Sequence, residues 1–177
     1  VSKIVFVFLA LTLISVSFLF CLANVDNEVF KTCQDKFLCE LRFPKEKFTL
    51  ENLLPNIDEC FMKGSVEEIL KCLDSTDNSW SIKTRKQFNS FSPTSVKITF
   101  EQLSRGKQLS TLKECLQMEY RLACRCCEDI DFYEGIRALL IDKDKNPQWQ
   151  PSSIAEVTES IVERYFSQLP SGRELEL

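Results

Sequence analysis

The chain has 177 residues, with 22 Lys and Arg, 26 Asp and Glu, a formal charge of −4 and no histidine. That length suits one ordinary domain, and the acidic balance argues against a nucleic-acid-binding protein, which needs a basic face to displace phosphate counterions. The absence of histidine excludes every catalytic pair and every metal site that uses an imidazole, so any chemistry must use carboxylates, Lys, Tyr, Cys or backbone amides.

The first element is an uncharged apolar run at residues 4–23, which ends in Cys-Leu-Ala. A helix of about 20 residues is about 30 Å long, the thickness of the hydrocarbon core of a bilayer. The run therefore predicts a hydrophobic N-terminal helix that is a secretory signal, with cleavage after Ala23, or a membrane anchor. The alternative interpretation is that this start is not native, because the chain begins with Val rather than Met.

Residues 24–49 mix charged and aromatic side chains without a clear period, which predicts a partly helical connector. Helix start signals recur over residues 50–177, and we predict a mainly α-helical region there. The predicted N-cap residues are Ser65, Asn78, Ser92, Thr111, Asp131 and Ser153. Four of them have a glutamate three residues later and predict capping boxes: Ser65, Thr111, Asp131 and Ser153. The last predicted helix runs from residue 153 to about Leu169.

Two of the predicted helices have features that bear on the fold. The Ser-Pro pair at residues 92–93 predicts a helix over residues 94–105, with a glycine after it as the stop. An alternating apolar pattern over residues 96–100 leaves a β-strand as the alternative. A short helix over residues 132–140 contains Gly135, which costs about 1 kcal/mol relative to alanine and indicates close backbone packing. We predict that its inward face consists of Phe132, Ile136, Leu139 and Leu140.

The segment 112–128 has the clearest helical pattern. At about 100° per residue, one broad face carries its apolar and small side chains: Leu112, Cys115, Leu116, Met118, Tyr120, Leu122, Ala123, Cys126 and Cys127. Glu119 lies in the middle of that face, and a buried carboxylate is costly unless it is paired. We expect either an ion pair with a basic residue of a neighbouring helix or a carboxylate with a raised pKa beside a functional site.

No metal site is predicted. The three cysteines within Cys124–Cys127 point in directions up to about 160° apart on a regular helix, so their thiolates cannot converge on one zinc ion. The sequence from Asp142 begins like a calcium-binding loop, but Pro147 stands where that loop needs glycine and Ser153 where it needs glutamate. The four glycines are isolated, so the sequence has no glycine-rich phosphate loop.

Several segments carry a family resemblance. In chain order they read SVEEILKCL, FSPTSVKIT, MEYRL, DFYEGIRALLIDKD and NPQW. From about Leu50 to Leu177 the chain resembles the C-terminal region of the 3-hydroxyisobutyryl-CoA hydrolases, a family of the crotonase (enoyl-CoA hydratase/isomerase) superfamily. The residues before Leu50 do not share it. The resemblance implies that residues 50–177 are the helical C-terminal part of an α/β crotonase-type fold.

The resemblance also implies an activity, the hydrolysis of a branched hydroxyacyl-CoA thioester in the mitochondrial breakdown of valine. In this family backbone amides form an oxyanion hole, and carboxylates activate the attacking water. Both belong to a β-rich core that precedes the region seen here, so we assign no catalytic residue in this chain and expect it to be inactive by itself. In hydratase relatives a lysine after the EG-containing helix lies near the CoA nucleotide. Lys143 matches it, the alternative being an ordinary solvated lysine.

The implied partner of the whole enzyme is an acyl-CoA substrate, with no cofactor and no nucleic acid. The run at residues 4–23 departs from the family, because a matrix enzyme carries a basic transit peptide and this chain has no arginine before Arg42. The alternative function is therefore a non-catalytic helical interaction module on a signal peptide or membrane anchor, in the secretory pathway or at a membrane. Membrane contact is expected only if residues 4–23 are a true anchor, and no pattern indicates an oligomeric state.

Overall fold

The computed structural model describes residues 50–176, which form α-helices and short helical turns without a β-strand in that range. The predicted N-terminal helix at residues 4–23 and the connector at residues 24–49 lie outside the described residues. The mainly α-helical prediction is confirmed for the part that the structure describes. None of the helices between residues 50 and 176 has the length and apolarity needed to cross a bilayer.

The helices in chain order are α1 (Leu54–Phe61), α2 (Val66–Thr76), α3 (Ser79–Phe88), α4 (Pro93–Gly106), α5 (Leu112–Glu128), α6 (Ile130–Ile136) and α7 (Glu159–Phe166). A 3-10 turn, Glu51–Leu53, precedes α1, and a second, Ile154–Glu156, precedes α7. A π-helical turn, Arg137–Ile141, continues from α6.

Four of the predicted N-caps are confirmed, and local hydrogen bonds explain them. The side-chain oxygens of Ser65, Asn78, Ser92 and Thr111 each accept a hydrogen bond from the backbone amide three residues later. Each bond satisfies an amide that the first turn of a helix leaves without a partner. At Thr111 the capping box is complete, because the Glu114 carboxylate accepts the Thr111 amide at 3.0 Å. The strand alternative at residues 96–100 is wrong, since the Ser92 cap opens a regular helix there.

Two of the predicted helix starts are wrong. Asp131 lies inside the first turn of α6, and its carboxylate accepts hydrogen bonds from distant residues instead of capping the helix. Ser153 begins only a 3-10 turn, and α7 starts at Glu159 behind its own N-cap, Thr158. That helix also ends at Phe166 rather than near Leu169. At Asp131 the competing partners come from tertiary contacts that the local pattern does not contain, whereas near Ser153 the Glu156 carboxylate accepts the amide of Ser152.

The buried apolar side chains form two clusters. The larger one joins α4, α5 and α7 and consists of Ile98, Met118, Leu122, Val157, Val162, Tyr165 and Phe166. The smaller one joins α1 and α2 through Cys60, Ile69 and Leu73. These clusters set how the helices pack, because burial of apolar surface is the main favourable term in folding.

The buried face of α5 is narrower than predicted. Its fully buried residues are Cys115, Met118, Glu119 and Leu122. Leu112, Tyr120 and Cys127, which the helical wheel placed on the same face, are exposed. The burial of Glu119 is confirmed, because only 4% of the residue is exposed. Its two possible roles, an ion pair with a basic residue of a neighbouring helix or a carboxylate with a raised pKa beside a functional site, stay predictions.

Candidate functional site

The residues after the π-helical turn form a loop, residues 142–148, which we call the Lys143 loop. Lys143 is exposed, with a backbone φ of 58°, and Lys145 follows with a φ of 56°. These left-handed conformations are unfavourable for residues with a Cβ, so the surrounding contacts must hold them. The amide of Lys145 donates to the Ala138 carbonyl at 3.0 Å, which ties the loop back to the helical turn.

Arg137 is the main clamp of the Lys143 loop. Its Nη1 atom donates to the carboxylates of Asp142 at 2.6 Å and Asp144 at 2.7 Å. Its Nε and Nη2 atoms donate to the two carboxylate oxygens of Glu134, at 2.8 and 2.7 Å, and Nη2 also reaches the Asn146 carbonyl at 3.3 Å. The planar guanidinium has enough donors to satisfy several acceptors at once, which an ammonium group cannot do in this geometry.

The carboxylates of the clamp also hold the loop backbone. Glu134 accepts the amide of Gln148 at 2.7 Å, and Asp144 accepts the amide of Asn146 at 2.9 Å. The hydrogen bonds from Arg137, together with the Gln148 amide, lower the pKa of Glu134 to about 2. The same guanidinium also lowers the pKa of Asp144. Both groups are therefore ionised at neutral pH, and the clamp is a charge-assisted network.

This network predicts a pH-dependent loosening of the loop. Because the folded-state pKa of Glu134 lies near 2 and its ordinary value is 4.5, its contribution to stability is present above pH 4.5. That contribution is lost as the pH falls from 4.5 towards 2. In a Trp80→Phe variant, which leaves Trp149 as the single tryptophan, we expect the Trp149 emission to shift to the red across this interval. Adding Glu134→Gln should reduce the shift, whereas Glu159→Gln, a surface carboxylate of α7, should leave it unchanged.

A second set of contacts anchors the chain just after the loop. The indole Nε1 of Trp149 donates to the Ser90 carbonyl at 3.3 Å. A Cβ on Gly135 would lie 3.3 Å from the indole ring, so the predicted close packing at this glycine is confirmed. The carboxylate of Asp131 accepts the Ser92 hydroxyl at 2.6 Å and the Gln150 amide at 2.8 Å. The loop is thus held at both ends.

The surface beside the loop is apolar. Four large side chains of α6 and the π-helical turn are exposed: Ile130, Tyr133, Leu140 and Ile141. The inward face predicted for residues 132–140 is wrong in part. Leu140 is exposed, and within Ile130–Ile141 the buried residue is Ala138. The π-helical turn rotates the side chains after residue 136 away from the positions expected for a regular helix.

The two residues singled out from the sequence lie in different environments. Lys143 is exposed on the loop, whereas Glu119 lies inside the core, so they do not form one solvent-facing site. Sequence reasoning missed Arg137. The signal was present, because acidic residues stand three positions before it, at Glu134, and five and seven positions after it. Among residues 50–176, no group of three or more cysteine or carboxylate side chains comes together in a way that could hold a metal ion.

A cleft of about 410 Å³ opens between α2, α4 and α7. Its basic groups are already engaged. Lys97 contacts Glu67 at 2.7 Å, and Arg105 contacts Glu101 at 2.7 Å and also pairs with Glu163. An anionic ligand would have to displace these carboxylates. We therefore place the candidate functional site at the Lys143 loop rather than in the cleft.

Residues 17–166 match the enoyl-CoA hydratase/isomerase family model. The match begins well before Leu50, so the resemblance extends further towards the N-terminus than the sequence segments indicated. The chain is 44% identical over 123 residues to a mitochondrial 3-hydroxyisobutyryl-CoA hydrolase of Dictyostelium discoideum, covering 69% of this chain and 32% of the relative. It is 39% identical over 155 residues to the Homo sapiens protein of the same name, covering 87% and 40%.

Two solved structures of CoA-processing enzymes also align with this chain. An enoyl-CoA hydratase from Rhodobacter sphaeroides aligns with a TM-score of 0.71 at 28% identity, covering 85% of this chain and 44% of that one. A carnitinyl-CoA dehydratase from Mycobacterium thermoresistibile aligns with a TM-score of 0.66 at 32% identity, covering 73% and 37%. The chain therefore spans 32–44% of the length of these curated relatives and solved structures.

Proposed function

The chain belongs to the enoyl-CoA hydratase/isomerase family, and from that premise we propose that it is the C-terminal part of a 3-hydroxyisobutyryl-CoA hydrolase. The observation that carries the proposal is the 39–44% identity to curated relatives of that name. The reaction adds water to the thioester carbonyl and releases the free acid and CoA. The name of these relatives includes "mitochondrial", so we place the whole protein in the mitochondrial matrix, in the breakdown of valine.

In this proposal the catalytic groups lie outside residues 50–176. The transition state needs amide donors for the developing oxyanion and carboxylates that activate water, and the family supplies both from its β-rich core. We assign no catalytic residue to the described helices, whose role is to pack on that core and help close the acyl-CoA site. The exposed side chains of Ile130, Tyr133, Leu140 and Ile141 support this role, because an apolar patch of this kind indicates a surface that another part of the protein covers.

We assign Lys143 to the nucleotide end of CoA, where its ammonium group faces phosphate. Three features support the assignment. The side chain is exposed, its backbone is held in a left-handed conformation, and the neighbouring Asp142 and Asp144 are engaged by Arg137. Since the guanidinium occupies those carboxylates, they compete less with a phosphate for the Lys143 ammonium.

The alternative, a helical interaction module on a signal or anchor, loses support because residues 17–23 of the apolar run fall inside the family match. Sequencing of the transcript upstream of the Val1 codon separates the two. We expect an open reading frame, continuous with Val1, that encodes the rest of a crotonase core. A start codon just before Val1, with an in-frame stop upstream, would contradict the proposal.

An activity measurement tests where the catalytic groups lie. We expect purified residues 24–177 to release no CoA from 3-hydroxyisobutyryl-CoA above a heat-treated control, because the oxyanion hole and the water-activating carboxylates are outside this region. The released CoA should be measured by chromatography, since the cysteines of the chain would react with a thiol reagent. Turnover above the control would show that the described helices contain the catalytic groups after all.

A further inference from the structure

Helices α1 and α2 carry a pair of thiols that the proposed function does not use. Cys60 lies in the last turn of α1 and Cys72 near the middle of α2, and their Sγ atoms are 3.0 Å apart. Both are free cysteines. A disulfide bond is about 2.05 Å long, so an approach of about 1 Å separates this arrangement from a covalent link.

The packing of the two helices holds the thiols together. Cys60 is completely buried and belongs to the apolar cluster of α1 and α2, with Ile69 and Leu73. The hydroxyl of Thr76 lies 3.5 Å from the Cys60 sulfur and donates to the Cys72 carbonyl at 2.8 Å. The connection between the helices is only residues 62–65, so their relative position is also limited by a short loop.

We propose that Cys60 and Cys72 are an oxidation site, at which a hydroperoxide converts the two thiols into a disulfide that fastens α1 to α2.

The solvent exposure of the two thiols decides which of them reacts first with the peroxide. Cys72 is half-buried, whereas Cys60 is fully enclosed and burial raises the pKa of its thiol. The Cys72 thiolate therefore attacks first, on one oxygen of hydrogen peroxide, giving a sulfenic acid and hydroxide, which takes up the thiol proton to form water. The Cys60 sulfur then attacks the sulfenic sulfur, its proton goes to the departing oxygen, and the S–O bond breaks. Two thiols and one hydrogen peroxide give one disulfide and two waters, with two electrons passing to the peroxide.

The experiment uses the full 177-residue chain, reduced, freed of reductant and exposed to hydrogen peroxide. The remaining thiols are then alkylated and the protein is digested with trypsin without reduction. Cleavage after Lys63 and Lys71 places the two cysteines on separate peptides, residues 48–63 and 72–83. A disulfide joins these peptides into one species about 2 Da lighter than their sum, which mass spectrometry identifies.

We expect the joined peptides in the natural chain and in Cys127→Ser, which removes an exposed cysteine of α5. They should be missing in Cys72→Ser. Oxidation should raise the thermal midpoint of the natural chain and of Cys127→Ser by about 5 °C, because the disulfide lowers the conformational entropy of the unfolded chain. It should not raise the thermal midpoint of Cys72→Ser.

Three results would overturn the proposal, and each is read from the natural chain, so the folding of a variant does not affect the decision. In the first, Cys60 and Cys72 are both recovered as alkylated thiols after peroxide treatment. In the second, Cys72 is recovered as a sulfinic acid, which means that Cys60 did not reach it. In the third, either cysteine is joined to Cys33 or Cys39 instead.

Discussion

Replacing Ile98 by alanine is expected to lower the free energy of unfolding of this chain by about 3 kcal/mol. Ile98 lies in α4, is 1% exposed and belongs to the cluster that joins α4, α5 and α7. The substitution removes buried methyl and methylene groups and leaves a cavity that the surrounding helices fill only in part, and both effects destabilise the folded state. The loss is a large fraction of the stability of an ordinary domain, about 5–15 kcal/mol.

Urea denaturation followed by circular dichroism at the helix band measures this change. The matched control is Ile141→Ala, because Ile141 has the same side chain but is 69% exposed on the surface beside the Lys143 loop. We expect the control to change the free energy of unfolding by no more than about 0.5 kcal/mol. Equal effects of the two substitutions would mean that Ile98 does not lie in a well-packed core.

Replacing Arg137 by alanine is expected to release the Lys143 loop while leaving the helices folded. The amides of Asn146 and Gln148 donate to the carboxylates of Asp144 and Glu134, and Arg137 holds both carboxylates. Without the guanidinium, three carboxylates face one another across the loop, and their repulsion opens it. We expect hydrogen exchange at these two amides to become about ten-fold faster.

The conservative variant and a surface control sharpen this test. Arg137→Lys keeps the charge but cannot donate to all the acceptors at once, so exchange should be intermediate. Arg173→Ala removes an exposed arginine that pairs with Glu128 at 2.8 Å, and it should leave the Asn146 and Gln148 amides unchanged. Unchanged exchange in Arg137→Ala would mean that the loop is held by the Trp149 and Asp131 contacts alone.

The same substitution has a functional consequence in the longer protein that the proposed function requires. If Arg137 acts by positioning the loop, Arg137→Ala and Lys143→Gln should each raise the KM for the acyl-CoA substrate by about ten-fold, with a much smaller change in kcat. The double variant should resemble Lys143→Gln, because Arg137 acts through that residue. Independent, additive effects would contradict a positioning role for Arg137.

The parts of the fold that the sequence predicted correctly are those with local causes. Ser65, Asn78, Ser92 and Thr111 were identified as N-caps because the acceptor and the amide it satisfies lie three residues apart. The burial of Glu119 followed from the helical period alone. Asp131 shows the limit of this reasoning, since its carboxylate accepts a hydrogen bond from the Ser92 hydroxyl 39 residues earlier.

The candidate site likewise has one residue that the sequence indicated and one that it did not. Lys143 was found through a motif that matches a family, and Arg137 was missed although acidic residues surround it in the sequence. A run of charges does not show which carboxylates one guanidinium joins, because that depends on the π-helical turn and on the left-handed backbone at Lys143 and Lys145. The contact of the Trp149 indole with the Ser90 carbonyl likewise joins residues that are 59 positions apart in the sequence, so no local pattern indicates it.

By itself, the sequence determined the family, the helical character of residues 50–176 and most of the helix starts, because these depend on motifs and on hydrogen bonds between near neighbours. Only the tertiary structure decided which carboxylates Arg137 holds, which apolar residues remain exposed beside the loop, and that the Cys60 and Cys72 thiols lie in contact. The physical reason is that these features depend on the distances and angles between packed helices. The absence of histidine excluded imidazole chemistry, but it did not indicate where Arg137 would bind several carboxylates or where two thiols would meet.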